Sequence, residues 1–291
     1  MSVQTPLKQR LLPCIDLRFP HFEKHYEIGP RPPIKAYAFE PMDCRDWYRE
    51  FVNRILDSMQ RHEFLPIYRM ADGEFIFALG KHPLDWLPLW ELNLKQIVKR
   101  VLRVFPQRRK HRSGSSEYGW EEYTSNEIPF LHQQFVDDLQ YVSECGILAL
   151  ALHNTPSYQV FVPRIFDWFD LANIHVHRTN YYHCYSVYAL MHGPDRHLLL
   201  QDKRVLVVTG LTEQKRNGIE KGLRREGVKT VQFVGISSNK ALMDEVDLSQ
   251  VEQPIDIVLV GAGVGSVHIL RQLEPLQTAC IDIGFVLSTL A

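Results

Sequence analysis

The chain has 291 residues, 45% of them hydrophobic and 23% charged, which is the composition of a soluble globular protein with enough apolar residues for a sizeable core. Its 33 lysines and arginines almost balance its 34 aspartates and glutamates, and the formal net charge is -1. A protein that binds nucleic acid chiefly through the phosphates usually carries a marked basic excess, so we expect no nucleic-acid partner.

The cysteines and the N-terminus indicate the compartment. Five cysteines stand at positions 14, 44, 145, 184 and 280, and no two of them form a CxxC pair. This arrangement argues against a disulfide framework and against a structural zinc site. The first residues lack the apolar core of a signal peptide, and no window approaches the roughly 18 consecutive apolar residues of a membrane span. We therefore expect a cytoplasmic protein without a membrane span.

Residues 1–45 are rich in proline and show no sustained hydrophobic period. This composition predicts an irregular N-terminal arm, packed over the body or partly disordered. From residue 44 to 61, apolar residues recur at helical spacing, which predicts a helix, and residues 64–68 then predict a short strand. Further helices are predicted over residues 92–105 and 128–142. We assign residues 46–291 to a single domain.

The second half of the chain alternates between predicted strands and helices. The predicted strands cover residues 145–152, 174–177, 204–209, 230–234, 255–260 and 278–283. The predicted helices cover residues 158–170, 213–226 and 266–273. Such alternation is typical of an α/β fold, Rossmann-like, with a mostly parallel sheet and helices on both faces. Ligands of these sheets bind beyond the carboxyl ends of the strands.

Two glycine turns in this half are suited to an anion. Gly210 and the group Gly261, Gly263 and Gly265 each follow an apolar strand and precede a helix. Glycine allows close approach of the backbone to a phosphate, and a helix N-terminus offers unpaired N–H groups. The spacing is G-x-G-x-G rather than G-x-G-x-x-G, and Asp282 is the acidic residue nearest the position expected for a dinucleotide site. We predict a bound nucleotide, with close strand–helix packing as the alternative role of the glycines.

The triplet Asp72-Gly73-Glu74 follows the strand predicted over residues 64–68. Mg²⁺ or Mn²⁺ on a diphosphate takes one or two protein carboxylates, and the phosphates and waters fill the other positions. Alone, such a triplet is most often a plain turn. Arg69 lies three residues before it, and a buried cluster of Arg, Asp and Glu is seldom needed for structure alone. The triplet is therefore the candidate metal site.

These residues carry a resemblance to a known family. The segment from Arg69 to Glu74 resembles the R-x-G-D-G-E motif of the GT-D-type glycosyltransferases, formerly catalogued as a domain of unknown function. Residues 256–263 and 280–284 are similar to the closing "D-x-V-L-I-G-x-G … A-x-D-I-G" segment of that family, and residues 204–210 fit its strand-and-glycine step. The resemblance covers roughly residues 45–285.

The resemblance implies a Rossmann-like GT-D-type catalytic domain that moves a sugar from a nucleoside-diphosphate donor to an acceptor hydroxyl. It implies that Asp72 and Glu74 hold Mn²⁺ or Mg²⁺. Arg69 would then brace the turn or touch the diphosphate, and Gly73 would be one of the cofactor-binding residues. The two glycine turns and Asp282 would lie along the nucleotide. The acceptor would be a glycan, a lipid-linked molecule or a protein.

Two positions depart from the pattern of that family. Ala71 stands where the family usually has glycine, and Phe285 stands where it usually has histidine after D-I-G. The acidic and aromatic residues that commonly follow in the family are absent from this chain. The shape of the turn and the binding of donor or acceptor are therefore expected to differ in this member.

His153 is the first candidate for the base that deprotonates the acceptor, because it follows a predicted strand and its ordinary pKa is near neutrality. Glu117 and Asp282 are the next candidates, in that order. A histidine that only caps a loop is the alternative for His153.

Two further segments have open roles. Residues 178–183 offer Arg178 and the rings of Tyr181 and Tyr182 for stacking, with core packing as the alternative. The basic run over residues 100–112 is typical of a solvated helix end, and its alternative is a rim that attracts an anion. The loop over residues 113–119 could close over a donor.

Two other functions remain open at this level. The glycine turns would also serve an oxidoreductase or a methyltransferase, in which the Asp72–Glu74 triplet would be incidental. A non-catalytic nucleotide-binding or scaffold protein would keep the same fold, and it would form a homo-oligomer through the proline-rich arm.

Overall fold

The core of the protein is a seven-stranded sheet in which every neighbouring pair of strands is parallel. The computed structural model describes residues 5–18, 34–80 and 123–291. The strands of this sheet are β3 (Leu65–Met70), β4 (Ile147–Leu150), β5 (Tyr181–His183), β6 (Arg204–Thr209), β7 (Thr230–Gly235), β8 (Ile257–Gly261) and β9 (Ala279–Asp282). Their spatial order is β5-β4-β3-β9-β8-β6-β7. The α/β, Rossmann-like fold class expected from the sequence is confirmed.

Helices cover both faces of the sheet. The described helices are α1 (Leu7–Arg10), α2 (Cys44–Arg61), α3 (Asp72–Leu79), α4 (Ile128–Cys145), α5 (Pro156–Gln159), α6 (Val162–Leu171), α7 (Tyr185–His192), α8 (Arg196–Leu200), α9 (Glu213–Arg225) and α10 (Ser266–Gln272). Helix α2 packs with α7 and against β5 and β9, whereas α4 and α10 pack together against β3. Strand β3 is buried at every position, as a strand covered on both faces must be.

Helix α2 has the bounds that the hydrophobic period predicts. Asp43 caps its first turn by accepting a hydrogen bond from the Arg45 backbone N–H at 2.7 Å. The buried stripe includes Trp47, Phe51 and Ile55, which recur at the spacing of a helix face. In the described part of the chain, no helix is long and apolar enough to cross a membrane.

The described part of the N-terminal arm is more regular than its prolines suggest. Strands β1 (Leu12–Asp16) and β2 (Lys35–Ala38) form a separate antiparallel pair. This pair is attached to the body through backbone groups: Tyr37 N–H donates to the Leu152 carbonyl at 3.0 Å, and the Tyr181 hydroxyl donates to the Tyr37 carbonyl at 2.7 Å. Long-range pairing of this kind leaves no periodic signal in the sequence.

The strand predicted over residues 174–177 is wrong, because the edge strand of the sheet is β5 instead. Ile174 and Val176 are buried and alternate with exposed neighbours, which explains the prediction. The side chain of Asn180 takes the place of a neighbouring strand. It donates to the carbonyls of Ser143 and His175 at 2.7 Å each and accepts from the His177 N–H at 2.9 Å.

The single helix predicted over residues 158–170 is two helices, α5 and α6. Pro163 lies in the first turn of α6, the position that tolerates a residue without an N–H group, so a new helix begins there. Helix α7 was not predicted. Its residues from Ser186 to Met191 are all buried, and a helix buried on every side lacks an amphipathic period.

The C-terminal segment Gly284–Leu290 packs on helix α9 at Gly222, where a Cβ atom would overlap the Leu290 carbonyl oxygen. We expect Gly222→Val to lower the free energy of unfolding by about 1–3 kcal/mol, because overpacking must displace this segment. Lys221→Val is the matched control on the exposed side of α9 and should change it by no more than about 0.5 kcal/mol. Urea denaturation measures both variants, and equal stabilities would show that the contact is not tight.

Candidate active site

A cavity of about 720 Å³ opens at the carboxyl ends of the central strands, where parallel sheets bind ligands. Its lining combines residues that are far apart in the sequence. Eight of the candidate residues line it: Arg69, Asp72, Gly73, Glu74, His153, Gly210, Gly261 and Gly263. Another candidate, Asp282, is fully buried at the end of β9, next to Arg69. The carboxyl ends of β3, β4, β6 and β8 therefore converge on one space.

Asp72, Gly73 and Glu74 form the first turn of helix α3 rather than a turn before it. The Phe75 N–H donates to the Ala71 carbonyl at 2.9 Å, and the Glu74 carboxylate accepts from the Ala71 N–H at 2.9 Å. Carboxylates in the first turn are favoured by the helix dipole. Because residues two apart on a helix do not face each other, Asp72 and Glu74 have different surroundings.

Glu74 lines the cavity and pairs with Arg69. Both residues are buried, and Arg69 Nη2 lies 3.5 Å from Glu74 Oε1. Arg69 Nη1 also donates to the Tyr188 hydroxyl at 3.1 Å, whereas the buried Nε has no hydrogen-bond partner among the described residues. A buried guanidinium N–H left without a partner is costly.

Asp72 is exposed and lines the cavity beside this pair. Partial desolvation within the cavity and then the neighbouring Glu74 carboxylate raise the pKa of Asp72, whereas Arg69 lowers it. Its carboxylate thus remains open to a ligand at the cavity wall.

Asp282 stabilises the structure next to the cavity through three hydrogen bonds. Its Oδ1 accepts from the Ser266 hydroxyl and the Gly284 N–H, each at 3.0 Å, and its Oδ2 accepts from the Arg69 N–H at 3.4 Å. Burial raises the pKa of Asp282 to about 7, and the charge of Arg69 opposes this shift. Since Asp282 is fully buried and already bonded, it orders the backbone around Arg69 rather than touching a ligand.

Packing explains two of the glycines in the predicted turns. A Cβ at Gly210 would lie 2.6 Å from the Ser238 Cα, and one at Gly265 would lie 2.5 Å from the Ala241 side chain. Gly263 has a φ of 57°, a left-handed conformation that favours glycine. The alternative of close packing therefore accounts for Gly210 and Gly265, although the backbone of Gly210 still lines the cavity.

His153 forms a buried pair with His183, the last residue of β5. His153 Nδ1 lies 3.3 Å from His183 Nε2, and the Tyr185 backbone N–H donates to His183 Nδ1 at 3.2 Å. Burial lowers the pKa of His153 to about 4 and holds the pKa of His183 well below its ordinary value. Both imidazoles are therefore neutral at pH 7.

This pair predicts a loss of stability in acid. Between about pH 6.5 and pH 4 the unfolded chain protonates His153 and the native protein does not, so unfolding takes up a proton and stability falls as the pH falls. From pH 7 to pH 5, wild type should lose about 2 kcal/mol more than His153→Gln. The comparison of variants removes the opposite contribution of Asp282, whose raised pKa makes the native state bind the extra proton. Parallel urea-denaturation profiles for the two proteins would contradict the assignment.

Several residues of the cavity were not anticipated. Tyr158, Tyr185, Tyr188 and Phe285 contribute aromatic rings, and Lys215 lies near the start of α9. Lys215 could have been found from the sequence, since the predicted β6 strand ends just before it. Tyr185 and Tyr188 lie on α7, which follows β5, and neither element was predicted from the sequence.

Some of the candidate residues predicted from the sequence do not line the cavity. Arg178 pairs with Glu40 and Glu50, with N–O distances of 2.8 Å each, and Tyr181 and Tyr182 are buried against Trp47. Core packing is therefore the role of those two tyrosines. The helix predicted over residues 92–105, the basic run, the loop over residues 113–119 and Glu117 lie outside the described residues.

A family model described as a GT-D fold-like domain matches residues 131–290, more than half of the chain. The match includes β4–β9 and the glycine turns, and it begins after the Arg69–Glu74 segment. One solved structure, described as a highly conserved domain of unknown function with a distinct glycosyltransferase fold, is similar over 83% of this chain and 82% of that chain, with 12% identity and a TM-score of 0.48. No curated protein matches the chain significantly. The family supports a glycosyltransferase in general.

Proposed function

The chain belongs to the GT-D fold-like family, and from this premise we propose that it transfers a sugar from a nucleoside-diphosphate donor to an acceptor hydroxyl, assisted by Mn²⁺ or Mg²⁺ at Asp72 and Glu74. One observation carries the proposal: a single cavity joins Arg69, Asp72 and Glu74 to the glycine turns after β6 and β8. A donor of this kind needs a cationic group, hard oxygen ligands and a backbone surface for phosphates, and the cavity has all three.

The carboxylates fit a divalent cation on a diphosphate. No group of three or more His, Cys, Asp or Glu side chains arranged for a metal occurs in the described ranges, but Mg²⁺ on phosphates is typically held by one or two carboxylates only. Asp72 offers an open carboxylate, and Glu74 offers Oε1, whose contact with Arg69 is long at 3.5 Å. When bound, such an ion would neutralise charge on the departing diphosphate.

Arg69 has the complementary role in the proposal. Its guanidinium is fixed by Glu74 and by the Tyr188 hydroxyl, and its backbone N–H is held by Asp282. These bonds hold the guanidinium charge at the cavity wall, beside the position proposed for the diphosphate. Donors fixed before the reaction stabilise developing negative charge without reorganisation.

The other half of the diphosphate would lie along the glycine turns. Gly210, Gly261 and Gly263 line the cavity with backbone, and Lys215 adds a positive charge near the N-terminus of α9. A helix N-terminus with a nearby lysine favours anionic groups. The acceptor would be a hydroxyl of a glycan, a lipid-linked molecule or a protein.

The proposal is tested by nucleoside-diphosphate release from a panel of nucleotide sugars. Purified protein should release the diphosphate slowly to water without an acceptor, and the rate should depend on Mn²⁺ or Mg²⁺ and be abolished by EDTA. Incubation with candidate acceptor glycans should then raise the rate. Absence of release from every donor, with metal and with acceptors, would overturn the proposal.

A further inference from the structure

The cavity lining combines charged side chains with aromatic rings. Arg69, Asp72, Glu74 and Lys215 carry the charge, and a row of rings lines the same cavity. The two groups meet where the Arg69 guanidinium lies 5.7 Å from the centroid of the Tyr188 ring. We name this row the aromatic wall: Tyr158, His153, Tyr185, Tyr188 and Phe285. Successive ring centroids along it are 3.9, 6.0, 6.0 and 5.4 Å apart.

The aromatic wall is uncharged at neutral pH, since its only basic member is His153, which burial keeps neutral. Phe285 ends the wall, is 55% exposed as a residue, and packs on Tyr188. An exposed large apolar side chain that lines a cavity marks a surface available to a ligand. A ligand that packs on these rings must present an apolar face to them.

The hydrogen bonds of the histidine pair determine which ring nitrogen of His153 carries the proton. His183 Nδ1 accepts from the Tyr185 N–H, so the proton of neutral His183 is on Nε2. That proton is directed to His153 Nδ1, 3.3 Å away. Neutral His153 must then carry its own proton on Nε2. His153 thus meets a ligand as a hydrogen-bond donor, which differs from the basic role expected for it from the sequence.

A sugar ring matches these features. A pyranose has a C–H face that packs on aromatic rings and hydroxyl oxygens at its edge that accept hydrogen bonds. We propose that the aromatic wall binds the ring of an uncharged pyranoside, with the Nε2–H of His153 donating to one of its hydroxyl oxygens. This inference rests on the proposed sugar transfer and specifies where the sugar lies, beside the charged residues proposed to take the diphosphate.

Saturation-transfer NMR tests the wall with methyl glucoside, methyl galactoside, methyl mannoside and methyl N-acetylglucosaminide as probes. At least one glycoside should receive saturation at its ring C–H protons, whereas sorbitol, a polyol without a ring face, should not. Phe285→Ala should weaken the binding of that glycoside by about three- to ten-fold, the value of one aromatic contact, and Phe285→Tyr should restore it. Phe130→Ala is the matched control, because Phe130 is 70% exposed and lies outside the cavity lining.

Competition identifies the source of the sugar. Displacement of the glycoside by a nucleotide sugar, but not by the nucleoside diphosphate, assigns the wall to the donor sugar. Simultaneous binding of glycoside and nucleotide sugar assigns it to the acceptor. The proposal is overturned if no glycoside binds, if Phe285→Ala binds it as wild type does, or if the variant loses uridine binding instead, which would make the wall a nucleobase site.

The proposed role of His153 as a hydrogen-bond donor is tested by a separate measurement. In long-range ¹H–¹⁵N spectra of protein with labelled histidine, His153 should show the Nε2–H tautomer at pH 7, and a protonated Nδ1 would overturn its role as a donor. These experiments need neither a metal nor turnover. Failure of the proposed sugar transfer would instead appear as absence of metal-dependent nucleotide binding, so the two failures are distinguishable.

Discussion

Asp72→Asn should lower the metal-dependent release of nucleoside diphosphate by about 100-fold or more, the size of effect that follows removal of one preorganised charge-stabilising group. Asparagine keeps the shape of the side chain but removes the charge that holds a divalent cation. The fold should be unaffected, because Asp72 is exposed and lies near the like charge of Glu74. The thermal midpoint of the unliganded variant should therefore equal or exceed that of wild type.

Asp57→Asn is the control for this experiment, since Asp57 is an exposed aspartate on α2. It should keep the wild-type rate and the wild-type dependence on Mn²⁺. If Asp72→Asn retains wild-type turnover with a normal response to EDTA, then Asp72 does not hold the cation.

Arg69→Met should destabilise the protein by about 3–5 kcal/mol, because removal of one partner leaves the other charge buried and unpaired. The buried carboxylate of Glu74 would lose its cation, and the Tyr188 hydroxyl would lose a donor. Urea denaturation gives the free energy of unfolding for each variant. Arg49→Met is the matched control, since the Arg49–Asp46 pair is 3.1 Å long but solvent-exposed, and exposed pairs contribute about 0–1 kcal/mol.

A double variant separates the charge effect from lost packing. Glu74→Gln removes the charge but keeps an oxygen for the Ala71 N–H. Arg69→Met/Glu74→Gln should therefore be more stable than Arg69→Met alone, because neither charge is then left unpaired. An Arg69→Met protein within about 1 kcal/mol of Arg49→Met would contradict the buried ion pair.

The sequence predicted which residues meet at the cavity better than it predicted their local conformation. Apolar runs followed by glycine or charged residues identified β3, β6 and β8, and in a parallel sheet their carboxyl ends must converge. Asp72, Glu74 and Gly261 therefore lie around one cavity, as expected. The first turn of α3 was not predicted, because Gly73 suggested a turn and the bond from the Ala71 N–H to Glu74 has no signal in the composition.

The aromatic wall could not be read from the sequence for a different reason. Tyr185 and Tyr188 lie on α7, which is buried on all sides and has no amphipathic period. Phe285 reaches them from the end of the chain, about a hundred residues later, through the packing of the C-terminal segment on α9. Contacts made only by tertiary packing leave no local pattern. Phe285, which stands where the family usually has histidine, nevertheless lines the cavity.

The most direct test of the proposed function is a thermal-shift measurement on the wild-type protein with nucleoside diphosphates and nucleotide sugars, each with Mn²⁺ and with EDTA. A ligand that binds the native state raises its stability, so at least one nucleotide sugar should raise the midpoint by about 3 °C or more with Mn²⁺ and much less with EDTA. No shift with any nucleotide, or equal shifts with Mn²⁺ and EDTA, would contradict a metal-assisted site for a nucleoside-diphosphate sugar.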